Sequence, residues 1–204
     1  MAHCFQSEIK HCILCLFILS AGCVSNNRQT ESYQLSDREK SLFQSGDIIL
    51  RKGKGLLSEI ITNHLSDTLP VSHCGIILKS EKGMQVIHAL SKSVSDTDGV
   101  QICTLDKFTE ESIPNSIIVV RYKKDTIGQI ATQALYYLRN HKPFDTKFNM
   151  QDSSAFFCSE LPLHILKYTL HSDLIIDNPF PKFSVFMDDN YFQVIHPQSL
   201  SFNK

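Results

Sequence analysis

The apolar positions of this chain change period as they run from one end to the other, and each period predicts an element. After a Gly-Asp turn, Ile48, Ile49 and Leu50 stand in an unbroken run, predicting a strand over 46–53. In GLLSEIITNHL the apolar residues fall at 56, 57, 60, 61 and 65, the spacing of one helix face. VSHCGIILKS (71–80) and MQVIHAL (84–90) are rich in β-formers and flank EKG (81–83), which predicts a hairpin. A polar loop, SKSVSDTDG (91–99), leads to a strand in VQICTL (100–105), a helical turn in DKFTEE (106–111) and a β-branched strand in SIIVVRY (116–122). Apolar residues at 127, 130, 131, 134, 135 and 138 predict an amphipathic helix over 126–141. After the irregular link KPFDTKFNMQDSSAF, CSELPLHILKYTL (158–170) starts a second long helix, with Pro162 in a first turn that tolerates its missing N–H. Phe180, Phe183, Phe186, Tyr191 and Phe192 predict a tail packed over the core, and VIHP an edge strand. Strand, helix, several antiparallel strands and two helices bracketing a loop make an α+β domain, not an alternating parallel sheet.

The N-terminal residues follow another pattern. Lys10 and His11 precede CILCLFILSAG, an apolar stretch of signal-peptide length and too short to span a bilayer comfortably. It ends in Leu19-Ser20-Ala21-Gly22-Cys23, which resembles a bacterial lipobox, with Ser20 where leucine is usual and Leu19 one place early. The expectation is a lipidated Cys23 after removal of the signal in 1–23; an ordinary secretory signal or an uncleaved anchor are the alternatives. Residues 24–41 are mostly polar and read as a flexible tether or a frayed first helix, so the folded domain is expected over 42–204. A 204-residue chain with 42% hydrophobic and 20% charged residues suits one globular domain. A net charge of −1 offers no bulk attraction for nucleic acid, and no such partner is expected.

Seven cysteines shrink to three once Cys4, Cys12, Cys15 and Cys23 are assigned to the export segment. Cys74, Cys103 and Cys158 remain, an odd number that argues against a disulfide framework, although a Cys74–Cys103 bridge stays possible. No C-x-x-C pair occurs in the mature part, so no structural zinc site and no cofactor are expected.

The chemistry centres on FFCSEL (156–161). A thiol at the start of a helix lies near free N–H groups that favour the thiolate and can receive an oxyanion. Ser159 and Glu160 would support that first turn, Glu160 as a carboxylate at the positive end of the helix. The alternative is Cys158 as a buried apolar spacer. A cysteine nucleophile needs a base, and nine histidines compete. His64, His141, His164, His171 and His196 read as surface or capping residues. His73 and His88 differ, because each lies inside an apolar β-rich run. A hairpin pairing 73 directly with 88 would present both imidazoles on one face, toward the helix that carries Cys158. A metal site built from His73, His88 and Cys158 is a further possibility.

GDIIL, SHCGIIL, QVIHAL, GVQICTLDKF and FFCSEL, in that order, resemble the permuted papain-like cysteine hydrolases, the YiiX-like amidases of the NlpC-related clan, distantly akin to lecithin retinol acyltransferase. The resemblance spans about residues 43–165 and implies a circularly permuted papain-like fold, an antiparallel sheet or small barrel against helices. It implies Cys158 as nucleophile, His73 as general base and His88 as the group orienting the base. Many relatives have glutamate at the third place; this chain has His88. The implied activity is amide hydrolysis through an acyl-enzyme, by an envelope lipoprotein acting on cell-wall peptides or lipid amides. A lipid acyltransferase or thioesterase with the same triad and a non-catalytic binding module are the rivals. The polar loop 91–99 and the link after Lys142 are expected to flank the cleft.

Overall fold

The computed structural model describes residues 33–65, 69–174, 176 and 181–197. The expected signal segment, Cys23 and most of the expected tether lie outside the described residues, as does Phe180. In order, the elements are α1 (Asp37–Ser41), β1 (Ile48–Arg51), α2 (Leu56–Leu65), β2 (His73–Ser80), β3 (Gly83–Leu90), β4 (Gly99–Thr104), α3 (Leu105–Glu110), β5 (Ile118–Tyr122), α4 (Gln129–Arg139), α5 (Glu160–His164) and β6 (Phe192–His196). A π-helical turn, Ile165–Thr169, continues α5, and a 3-10 turn, Phe183–Met187, precedes β6.

The strands form one open antiparallel sheet in the order β4-β3-β2-β1-β5-β6, so the fold is α+β as its pattern predicts. Period-two alternation divides the side chains between its two faces. Ile48, Leu50, Cys74, Ile76, Ile87 and Val120 point to the face covered by α4 and α5, where Phe156, Leu161 and Ile165 complete the larger core. Ile49, Ile77, Val86 and Val119 point to the other face and meet Phe43, Leu105 and Phe108 in a smaller core. Each fully buried isoleucine in these layers contributes about 1.5–3 kcal/mol of apolar burial. The aromatic tail behaves as its composition predicts: Phe183, Phe186 and Phe192 are buried, and β6 is an edge strand.

One reading is decided here and one expectation changes. Of the tether and the first helix read for residues 24–41, the helix forms over Asp37–Ser41. Ser36 closes a capping box with Glu39 at the start of α1, and Leu35 is buried in the smaller core. The β2–β3 register also differs by two residues from a direct 73–88 pairing. Ser80 pairs with Gly83 and Ile76 with Ile87, so one more step puts Gly75 opposite His88. A two-residue slide preserves which face each side chain takes, so the histidines still share a face and meet diagonally. Gly75 makes room for this. A Cβ there would stand 2.5 Å from Val86 Cγ1 and 3.1 Å from His88 Cβ.

The link from Lys142 to Phe157 is tied to the sheet edge. Val100 N–H donates to the Lys142 carbonyl, and Gly99, at φ +85°, allows this approach. A Cβ at 99 would lie 2.2 Å from that carbonyl oxygen. The link thus hangs over the end of β3 and β4, where the candidate site lies.

Candidate active site

His73 opens β2 and His88 lies near the end of β3, both buried. His73 Nε2 and His88 Nδ1 are 2.8 Å apart, one donating and the other accepting. Alternation directs both rings to the smaller-core face, where each stands 5.7 Å from the Phe108 ring. They therefore do not point from the sheet toward α5 as expected, because Cys74 and Ile76 occupy that face. His73 and Cys158 instead share a cavity at the end of the sheet. The cavity, of about 490 Å³, is lined by His73, Cys158 and Ser159 together with Ala89 and Leu90 of β3. Ser91, Ser93 and Val94 from the polar loop and Phe144, Thr146 and Phe148 from the link also line it, as expected of loops flanking a cleft. No hydrogen bond joins the thiol to His73 in this state, and the imidazole nitrogen left for it is Nδ1, since Nε2 is engaged by His88.

The electrostatics keep both imidazoles neutral. Burial is the largest cause of the low basicity of His73, which is held well below the usual histidine range, with Arg51 and His88 adding to it. Burial, then Arg51 and Lys107, pushes His88 down to about 3. A neutral His88 can accept a hydrogen bond from a His73 N–H but cannot supply the negative charge of a glutamate. Arg51 pairs with His73 across β1–β2, and its guanidinium lies 4.4 Å from the Phe108 centroid. It donates to the Phe108 carbonyl at 2.8 Å and to Glu111 at 3.0 Å, and its buried Nε has no partner.

Cys158 has the opposite environment. Its thiol pKa is lowered, first by a hydrogen bond from the Cys74 thiol and then by the backbone N–H groups of Ser159, Cys74 and Cys158, against the effect of burial. The Cys74 thiol is pushed well above its usual range by burial and by Cys158. It also donates to the Cys158 carbonyl at 3.2 Å. Cys74 and Cys103 are both free thiols and lie on opposite faces of the sheet, so the bridge between them left possible by the sequence is not formed.

Ser159 lies where expected, immediately before α5, and is buried. Glu160 supports the turn differently from expectation. Its Oε2 accepts the Phe157 N–H at 3.1 Å, while burial raises its pKa to about 8. At neutral pH it acts through a hydrogen bond rather than through charge. His164 and His196 are buried, contrary to their reading as surface or capping residues. His164 lies among Tyr137, Phe156 and Tyr168, and His196 packs against Phe43. His141 and His171 are exposed, at positive φ, and His64 lies in α2 with its side chain outside the description. Sequence reasoning missed two residues of the site, Cys74 and Arg51. Alternation was the available signal: it puts Cys74 on the helix-covered face and Arg51 beside His73.

Among the described residues, no group of three or more His, Cys, Asp or Glu side chains is arranged to hold a metal ion. His73 and His88 direct one nitrogen each at the other, so they do not fit a shared metal.

Comparison with known proteins adds two findings. The model of a family described as permuted papain-like amidase enzyme, YaeF/YiiX, C92 family, matches residues 42–201. Among solved structures, the chain resembles the crystal structure of metalloprotein yiiX from Escherichia coli O157:H7. The TM-score is 0.51 at 22% identity, over 67% of this chain and 77% of that one, a likeness of fold. No curated protein matches the chain.

Proposed function

The chain belongs to the permuted papain-like amidases, a family of cysteine peptidases and amidases, and from that premise we propose that it is an envelope-anchored hydrolase that opens amide bonds through Cys158, His73 and His88. The observation that carries this reading is a cavity lined by both Cys158 and His73, with His73 Nε2 bound to His88.

In this reaction His73 Nδ1 takes the thiol proton while Sγ attacks the substrate carbonyl. The imidazolium is held by its Nε2–H donated to neutral His88. The N–H groups of Cys158 and Ser159, which face the sulfur, are the donors nearest a developing oxyanion. His73 then returns the proton to the leaving amine as the C–N bond breaks, leaving a thioester on Cys158. Water, deprotonated by His73, attacks the thioester, and the acid leaves with the thiol restored. At rest the His73 imidazole is neutral, because burial and Arg51 disfavour an imidazolium there. Export and anchoring rest on the apolar segment before Cys23; loss of lipid labelling in Cys23→Ser is the check on that part.

The direct test is to trap the thioester with an activated amide or ester and locate it by peptide mass spectrometry. The adduct is expected on Cys158 and absent from Cys158→Ala. An adduct confined to Cys74 or Cys103, or an undiminished rate in Cys158→Ala, would overturn the assignment.

A further inference from the structure

Cys74, Cys103 and Cys158 are all free thiols, and they stand in different surroundings. Cys158 is partly exposed and lines the cavity beside His73. Cys74 is fully buried in the larger core, against which Cys158 also packs, and does not line that cavity. Cys103, also partly exposed, packs against the smaller core on the opposite face of the sheet.

The fold brings the first two together. Cys74 pairs with Leu50 across β1–β2, and both side chains point to the helix-covered face. The start of α5 packs on β2 there. Cys74 Sγ consequently lies 3.2 Å from the Cys158 carbonyl oxygen. It also reaches the Cys158 sulfur, the contact that does most to lower the pKa of that thiol.

The two sulfurs differ in reactivity. A peroxide oxidises the thiolate, so susceptibility follows thiolate character and exposure. Both favour Cys158. Burial keeps Cys74 protonated and out of the cavity, which makes it a stored thiol rather than a target. A sulfenic acid with a thiol beside it condenses to a disulfide; one without is oxidised further to a sulfinic acid that thiols do not reduce.

We infer that Cys74 is a resolving cysteine for Cys158: after a peroxide oxidises Cys158, Cys74 closes a disulfide with it that blocks the site and keeps it recoverable. The Cys158 thiolate attacks one peroxide oxygen and the O–O bond breaks. With one proton taken up, the products are the Cys158 sulfenic acid and water, or an alcohol from an organic peroxide. The sulfur has lost two electrons and the peroxide has gained them. Cys74 Sγ then attacks the Cys158 sulfur. The S–O bond breaks, the hydroxide leaves as water with the Cys74 proton, and the S–S bond forms. A dithiol returns two electrons and two protons and restores both thiols. The consequence for turnover rests on the hydrolase reading above, since a sulfur held in a disulfide cannot attack a carbonyl.

The test treats the full reduced chain with hydrogen peroxide, quenches with iodoacetamide and maps the cysteines by peptide mass spectrometry. A linked Cys74–Cys158 peptide pair is expected, with Cys103 alkylated. Hydrolysis of an activated amide should be lost in step with that pair and return with dithiothreitol. In Cys74→Ala, Cys158 should pass to the sulfinic acid, and dithiothreitol should restore nothing, whatever the starting rate of the variant. Cys74→Ser keeps a donor for the Cys158 carbonyl but cannot form the bond. It should behave as Cys74→Ala does, which separates the missing sulfur from a disturbed core. Sulfinic acid at Cys158 in the parent as readily as in Cys74→Ala, or Cys158 linked to another cysteine, overturns the inference. Turnover by the reduced parent without the linked pair overturns it while leaving the hydrolase reading intact. The linked pair without turnover by the reduced parent leaves the disulfide standing and overturns the hydrolase reading instead.

Discussion

Two buried pairs of titratable side chains invite comparison: His73 with His88 at the end of the sheet, and Glu160 with His164 one turn apart on α5. Burial dominates the pKa of all four and disfavours the charged form of each. The difference lies in what the polar atoms meet. His73 and His88 share a hydrogen bond, and His73 lines the cavity with Cys158. Glu160 Oε1 and His164 Nδ1 are buried without a partner, and neither residue lines that cavity. A displaced pKa therefore does not by itself mark a working group. What sets the sheet pair apart is that His73 is oriented by His88 and lines the cavity that holds Cys158, the arrangement the proposed reaction uses.

The largest expected effect breaks this comparison most sharply. His73→Gln should lower kcat/KM by about 10²–10⁴-fold, the range of a lost general base. His164→Gln, at an equally buried histidine, should leave kcat/KM within about threefold. Steady-state kinetics on the two variants measures the contrast, and equal losses would place the functional pair on the helix. Next comes His88→Leu, which removes the acceptor behind the His73 imidazolium. A hydrogen bond to a charged group is worth about 1.5–3 kcal/mol, so kcat/KM should fall about 10- to 150-fold. His88→Gln, whose side-chain carbonyl can still accept, should recover part of the loss. If Leu and Gln behave alike, His88 only fills space.

The sequence made much of this legible. The β-branched runs bounded by glycine and polar turns put each strand within two residues of its observed limits, because those runs satisfy local propensity and burial at once. FFCSEL, SHCGII and QVIHAL likewise pointed to three residues that meet around one cavity or one hydrogen bond. The errors were geometric. Pairing 73 directly with 88 ignored the two residues, Glu81 and Lys82, that form the observed hairpin loop, and the parity of the slide concealed the mistake. The histidines were aimed at the wrong face because period-two alternation tells which residues share a face, not which helix covers it. Burial of His164 and His196 was missed because a polar residue within an aromatic cluster is set by tertiary packing that no local pattern reports. The part played by Cys74 is not legible in the chain, because its hydrogen bond to the Cys158 carbonyl, 84 residues away, is a product of folding.

A third prediction concerns the packing that brings His73 and His88 together. Gly75→Ala would place its Cβ 2.5 Å from Val86 Cγ1 and 3.0 Å from the Ile87 carbonyl oxygen. Overpacking of this kind costs about 1–3 kcal/mol, and denaturant unfolding should show it. The displaced strand should also weaken the histidine contact and lower activity. Ala131→Ser on α4, a similar change of volume remote from the histidines, is the control. Unchanged stability in Gly75→Ala would mean that the strands are spaced by something other than the absent side chain.

The smallest effect belongs to the helix pair and concerns stability rather than rate. Burial raises Glu160 from 4.5 to about 8, so between those values the unfolded chain has released a proton that the folded chain retains. Its contribution to stability is complete below about pH 4.5 and is lost as the pH rises toward 8. His164, lowered from 6.5 to about 4 chiefly by burial, acts oppositely: its contribution is present above 6.5 and lost as the pH falls toward 4. The two oppose each other in the overlap, but between 6.5 and 8 only the Glu160 slope remains from this pair. Glu160→Gln keeps an acceptor for the Phe157 N–H and has no proton to lose. Melting temperatures measured from pH 6.5 to 8 should therefore decline less in Glu160→Gln than in the parent chain, while the acid-side decline from His164 persists. The same decline in both proteins would mean that Glu160 is already ionised in the fold, and the contrast between the pairs would then rest on the cavity alone.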